Sequence, residues 1–131
     1  MNAMPQPEEP TPAEWKVLTV VWERGSVAAR DVVEALAEET GWSASTVKTL
    51  LRRLVEKGHL ATEPVGSSFL YSPARPPLGT LRRSAEALIE RAAEGTVGPL
   101  LAHLVRRSRL SERDLDQLRD LIERKSEEGR P

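Results

Sequence analysis

Cysteine is absent from this 131-residue chain, and with it go disulfides, thiolate metal sites and cysteine nucleophiles. Histidine is scarce: His59 and His103 are the two, and no His/Asp/Glu cluster has metal-ligand spacing. Ser67 and Ser68 lack a matching His and Asp for nucleophilic catalysis, and the loop Val65 to Ser68 is too short to cradle a phosphate. We therefore expect no catalytic residue, no metal and no cofactor. Long apolar runs are missing as well. No stretch approaches the roughly 18 residues of a membrane span, and the N-terminus lacks a signal-peptide pattern. The expectation is a cytoplasmic protein with no membrane partner. Nor is there a surplus of positive charge: 19 Lys and Arg stand against 20 Asp and Glu, a net charge of −1. Any affinity for nucleic acid must then come from how the charge is distributed.

What is present is an ordinary globular balance, 39% hydrophobic and 30% charged, and enough length for one domain plus an appended helical segment. Residues 1–10 hold three prolines and two glutamates without apolar periodicity, the composition of a disordered arm. Thr11 then reads as an N-cap, with Pro12 first and Glu14 third in a helix. Its apolar face carries Trp15, Leu18, Val21 and Trp22, and Gly25 ends it. A second helix, Ala28 to Glu39, places Val32, Val33, Leu36 and Ala37 on one face and closes at Gly41. Its start is weakly marked, Ser26 being the nearest side chain able to cap it. Ser43 opens a third helix that runs to Lys57, with Gly58 at the left-handed position beyond.

After Gly58 the period becomes alternating. Leu60 and Thr62, then Phe69 and Tyr71, flank Pro64 to Ser68 in the pattern of a β-hairpin, whose first strand Pro64 confines to an edge or ends early. Helix, helix, helix, hairpin is the plan of a winged helix-turn-helix. Pro73, Pro76 and Pro77 mark a boundary. Beyond it Leu81, Ala85, Leu88, Ile89 and Ala92 fit a helix ending near Gly95, and Leu100, Leu101, Leu104 and Val105 a shorter one. Leu115, Leu118, Leu121 and Ile122 fit a last helix, capped by Ser111 with Asp114 at its third position. The fold class is mainly α with a small β-hairpin wing: a winged helix-turn-helix at residues 11–75, then a C-terminal helical dimerisation segment at 76–131.

The functional reading centres on Ser43 to Lys57. Val47, Leu50, Leu51, Leu54 and Val55 define a buried face, while Ser45, Lys48, Thr49 and Arg52 follow the same spacing on another, with Thr46 and Arg53 beside them. Lys48, Arg52, Arg53 and Lys57 against Glu56 alone make this segment +3 inside a chain that is −1. Small polar residues in a first turn let the helix end approach base edges and phosphates. Cations one to two turns later lie where flanking phosphates would be. The candidates to face bases are thus Ser43, Ser45, Thr46 and Thr49; Lys48, Arg52 and Arg53 suit phosphates or, for an Arg at the right height, a guanine, and Ser68 and Tyr71 in the wing suit the backbone. Such spacing is also that of a plain solvated face. The preceding helix, tight turn and following hairpin are what point to double-stranded DNA. A winged-helix dimer that binds another protein and not DNA is the alternative, motivated by the −1 charge and the neutral wing.

Other residues have blander readings. Trp15, Trp22 and Trp42 are packing residues, His59 a surface or hinge residue, and His103 a structural or interface residue. Leu81, Ala85, Leu88, Leu100, Leu104, Leu115, Leu118 and Ile122 are spread over helices too short for a separate core. Homodimerisation would bury them, and a two-fold dimer would present its recognition helices about one DNA turn, roughly 34 Å, apart on a pseudo-palindromic operator.

The string Trp42-Ser43-x-x-Thr46-Val47-x-Thr49-Leu50-Leu51-x-Arg53-Leu54-x-x-Lys57-Gly58 resembles the penicillinase repressor and methicillin-resistance regulator family. The similarity extends to Ala13-Glu14-Trp15, Val20-Val21-Trp22, Val33-Glu34-Ala35-Leu36, Gly66-x-x-Phe69-x-Tyr71-Ser72-Pro73 and the Leu-Ser-x-x-Asp-Leu-x-x-Leu pattern from Leu110 to Leu118. The resemblance implies a homodimeric winged-helix repressor of transcription, with Ser43 to Lys57 as recognition helix and the C-terminal helices as dimerisation elements. It also implies a release step, by an antirepressor protease or another inducer. Four departures limit what carries over. Ala28 stands where the family usually has Thr at the start of the second helix. The wing tip Gly66-Ser67-Ser68 is neutral where the family's is basic, which predicts fewer phosphate contacts. Ala102-His103 replaces the Asn-Phe bond at which β-lactam-responsive members are cut, and the cysteine cluster of copper-responsive relatives is missing.

Overall fold

A computed structural model describes residues 8–129; residues 1–7 of the expected arm lie outside them. The chain enters through the helix start that the sequence marks most strongly. Thr11 Oγ1 accepts the Glu14 N–H at 3.2 Å and Glu14 Oε1 accepts the Thr11 N–H at 3.0 Å, a reciprocal capping box that starts α1 (Pro12–Arg24). Gly25 ends α1 at a φ of 86°, a left-handed conformation that a Cβ would disfavour.

A two-residue strand, β1 (Val27–Ala28), precedes α2 (Ala29–Thr40). Period-two patterning cannot reveal so short a strand. Ser26, the cap expected from sequence, is replaced by Ala28 at the N-cap. Ala28 has no side-chain oxygen to offer, so only half a box forms: Asp31 Oδ2 accepts the Ala28 N–H at 2.9 Å. After Gly41 comes α3 (Ala44–Glu56), then β2 (Leu60–Val65) and β3 (Ser68–Pro73).

The three strands are antiparallel in the order β1-β3-β2. Pro64 is tolerated because β2 is an edge strand, and the strand runs on through it to Val65, opposite Ser68. Gly66 and Ser67 make the connecting turn, with Gly66 at a φ of 63°.

The core lies between the helices and the sheet. Val17, Leu18 and Val21 of α1, Val32 of α2, and Val47, Leu51 and Leu54 of α3 are fully enclosed, with Val27 and Leu60 closing it from the strands. Trp15 and Trp22 pack edge to face at 5.8 Å between ring centroids, and both lie against this core together with Trp42. All three tryptophans are packing residues: Trp15 and Trp22 as their helical spacing predicts, and Trp42 from the connection between α2 and α3.

Pro77 opens α4 (Pro77–Arg91), followed by α5 (Val97–Arg107) and α6 (Glu112–Glu128). The chain separates into two compact units after Ala87, within α4 and so later than the proline-marked boundary at residue 76. Thr80 is buried in the part of α4 that belongs to the first unit. The second unit contains α5 and α6. Ser111 and Asp114 form the expected capping box at the start of α6, yet no residue of α5 or α6 is buried.

Candidate nucleic-acid interface

Local chemistry positions α3 at both ends. Ser43 Oγ accepts the Thr46 N–H at 3.2 Å and donates to Thr46 Oγ1 at 3.1 Å. At the other end Gly58 has a φ of 87°; its N–H reaches Val55 O at 3.0 Å while the His59 N–H reaches Leu54 O at 2.9 Å, the paired bonds of a Schellman motif. Between these caps the apolar stripe buries Val47, Leu50, Leu51 and Leu54. The remaining face is open: Ser43, Ser45, Thr46, Lys48, Arg52 and Arg53 are exposed and Thr49 is half-buried. Because the cap occupies the Ser43 hydroxyl proton, Ser43 can offer a base little beyond a lone pair, whereas Ser45 and Thr46 keep donors.

Lys48 and Arg52, one turn apart on α3, line an open groove of about 570 Å³. Its far wall is the wing, with Ser68, Phe69 and Tyr71, and its end is the start of α2, with Ala28, Ala29 and Arg30. The lining holds three cations and no carboxylate. Arg52 Nε lies 3.7 Å from Glu56 Oε1 with both side chains about two-thirds exposed, a contact that holds Arg52 weakly. The structure thus brings Lys48, Arg52, Ser68 and Tyr71 together from the sequence candidates. Arg53 is exposed but does not line this groove. Arg30 and Phe69 are additions. Arg30 sits outside the segment whose charge stands out, and Phe69 reads in sequence only as one apolar position of an alternating strand.

Lys57 has a different fate from the other three cations of its segment. Its Nζ lies 2.5 Å from Glu14 Oε1, so it is neutralised inside the fold and adds nothing to the groove. Glu14, a capping residue in sequence, is completely buried. Burial opposes its ionisation, but the hydrogen bond from Lys57, the Thr11 N–H and the positive charges of Lys57 and Arg53 outweigh it and hold its carboxyl below the usual range.

His59 is buried too, not a surface residue. Its Nε2 donates to Glu8 O at 2.6 Å, and Lys57 Nζ also approaches Glu9 O at 3.5 Å. Glu8 to Pro10, which composition places in a disordered arm, are held against the end of α3, with Pro10 buried. Glu14 Oε2 and His59 Nδ1 have no hydrogen-bond partner among the described residues. His103 is exposed beside Ala102 within α5.

Three helices with a small antiparallel sheet, and a basic groove between the third helix and the hairpin, define a winged helix-turn-helix protein of the DNA-binding class. The chain belongs to the penicillinase repressor family, whose model matches residues 10–124. It is 26% identical over 123 residues to a penicillinase repressor of Bacillus licheniformis, covering 94% of each chain. An uncharacterized 16.5 kDa protein in the ptsI 3' region of Latilactobacillus sakei is 36% identical over 118 residues, 90% of this chain and 81% of that one. Among solved structures, the DNA-binding domain of the repressor BlaI is 32% identical, with a TM-score of 0.48 over 53% of this chain and 88% of that one. A mutant of MarR from E. coli, solved in complex with operator DNA, shares the fold at 16% identity, with a TM-score of 0.50 over 87% of this chain and 74% of that one. The family is one of transcriptional repressors and not of enzymes. Among the described residues no helix is long and apolar enough to cross a membrane.

Proposed function

We propose that this chain represses transcription as a homodimer whose two α3 helices enter successive major grooves of a pseudo-palindromic operator. The observation that carries this reading is the division of α3 into a fully buried apolar face and an exposed face of small polar residues and cations. Ser45, Thr46 and Thr49, with Ser43 at the cap, face base edges. Lys48 and Arg52 hold phosphates from the groove, Arg53 holds another outside it, and Ser68 and Tyr71 touch the backbone from the wing. Residues 11–75 supply this DNA-binding part and residues 76–131 the dimerisation part. Support for the latter is the apolar surface that α4 to α6 leave open: Leu81, Leu88, Leu104 and Ile122 are all exposed, with Leu100, Leu115 and Leu118 half-buried beside them.

Electrophoretic mobility shift with a random-sequence duplex at low salt, combined with sedimentation equilibrium, tests both parts. We expect a dimer that shifts the duplex at micromolar protein, since non-specific affinity of this kind lies at about 10⁻⁴–10⁻⁶ M even at physiological salt. Lys48→Ala should flatten the plot of log affinity against log salt by about one unit, the signature of one lost phosphate contact. No shift at low salt would sink the repressor reading, and a monomeric mass at these concentrations would sink the dimer.

A further inference from the structure

Resting on the DNA-binding reading above, we propose that the groove between α3 and the wing is a channel for one strand of the DNA backbone. In it Phe69 packs on a deoxyribose while Arg30, Lys48 and Arg52 hold the adjoining phosphates. The wing thereby contributes apolar contact in place of charge.

The strand register places Phe69. It lies opposite Pro64, and two residues on Tyr71 lies opposite both Thr62 and Val27. Directly opposed residues share a face of the sheet, so Phe69 shares the face that Val27 and Leu60 turn to the core. The core ends at Tyr71, which is half-buried. Phe69 projects past that limit and is 54% exposed in the groove with Lys48 and Arg52. A single exposed apolar side chain is ordinary. One that lies among three cations, in a groove with no carboxylate, matches a ligand that is apolar and anionic by turns. A nucleic-acid backbone has that alternation, with sugar C–H surface between phosphates.

The wing leaves few alternatives for how it could hold DNA. From Leu60 to Pro73 its single charged residue is Glu63. Attraction to phosphate must come from the α2 and α3 side of the groove, and the wing itself offers the ring of Phe69 and the hydroxyls of Ser67, Ser68 and Tyr71. The small residues Ala28 and Ala29 leave room for a strand at the end where Arg30 stands.

The two kinds of contact separate by their salt dependence, because an apolar contact releases no counterion and a phosphate contact does. Dissociation constants of the full-length protein for a random-sequence duplex should be measured across a salt series for Phe69→Ser, Phe69→Leu and Arg30→Gln, with thermal unfolding of each. Phe69→Ser is expected to weaken binding about tenfold per bound wing with the salt slope unchanged, and Phe69→Leu to restore most of that loss. Arg30→Gln is expected to lower both the affinity and the slope, the latter by about one unit. Wild-type affinity in Phe69→Ser would overturn the proposal, as would a change in its slope; if that variant unfolds, a Phe69→Leu protein that is folded yet as weak as Arg30→Gln would overturn it too. Absence of binding by the wild-type protein would instead be a failure of the DNA reading itself.

Discussion

Helices α3 and α5 carry apolar residues at the same spacing and meet opposite fates. Val47, Leu50, Leu51 and Leu54 are buried on α3. Val97, Leu100, Leu101 and Leu104 repeat that spacing on α5, where Leu101 is 52% exposed, Leu104 is also open and Val97 and Leu100 are half-buried. The difference comes from what each unit provides. Around α3 stand α1, α2 and the sheet, which enclose its stripe on every side. The second unit offers α5 no such enclosure: its α6 buries none of its own residues and leaves Leu121 and Ile122 exposed. An amphipathic pattern states that a face seeks cover, and it is silent on whether the cover lies in the same chain.

Removing a leucine from each stripe is the strongest way to break this contrast. Leu51→Ala should cost about 2–5 kcal/mol in urea unfolding, because it opens a cavity in an enclosed core. Leu101→Ala should leave that transition nearly unmoved and weaken dimer association in sedimentation instead. Equal effects on unfolding would mean that α5 is covered within its own chain.

A smaller effect is expected from the polar contact that ties α1 to the end of α3. Glu14→Gln should cost about 1–3 kcal/mol, since it leaves the mostly buried Lys57 charge facing a neutral acceptor. The pH dependence gives the same pair a second signature. Glu14 ionises more readily in the fold than in the unfolded chain, so its contribution is full above the unfolded carboxylate value, about 4.3. That contribution is lost as pH falls through the lower folded value. Denaturant midpoints measured from pH 7 down to 3 should fall less steeply below about pH 4.3 in Glu14→Gln than in the wild type; parallel curves would remove Glu14 from the acid response.

The smallest expected change sharpens the comparison at a helix start. α1 and α6 have complete capping boxes and α2 has half of one. Ala28→Thr should supply the missing oxygen and stabilise the first unit by about 0.5–1 kcal/mol, read as a rise in its thermal midpoint. No rise would mean that β1 holds residue 28 in a geometry from which the new hydroxyl cannot reach the α2 amides.

Much of the fold is legible in the sequence because much of it is local. Thr11 with Glu14 and Ser111 with Asp114 announce their helices through bonds three residues long. Gly58 marks the end of α3 because the turn there needs a positive φ. The hairpin shows in the period of Leu60, Thr62, Phe69 and Tyr71. The start of α2 did not show, since a two-residue strand has no period and its support is Asp31 reaching backward.

The interface was legible in outline, and the helix that bears it was identified by its charge. Counting charge treated Lys48, Arg52, Arg53 and Lys57 as equals, and they are not. Lys57 is consumed by a carboxylate 43 residues earlier in the chain. Lys48 and Arg52 gain a third cation, Arg30, from another helix and an aromatic ring from the wing. Caps, turns and periodicity are interactions between near neighbours, so the sequence by itself determined where the helices and the hairpin begin and end. Neutralisation and burial depend on which distant residues the fold brings within a few ångströms. Tertiary structure alone therefore decided which cations stay available to DNA and which apolar faces remain uncovered.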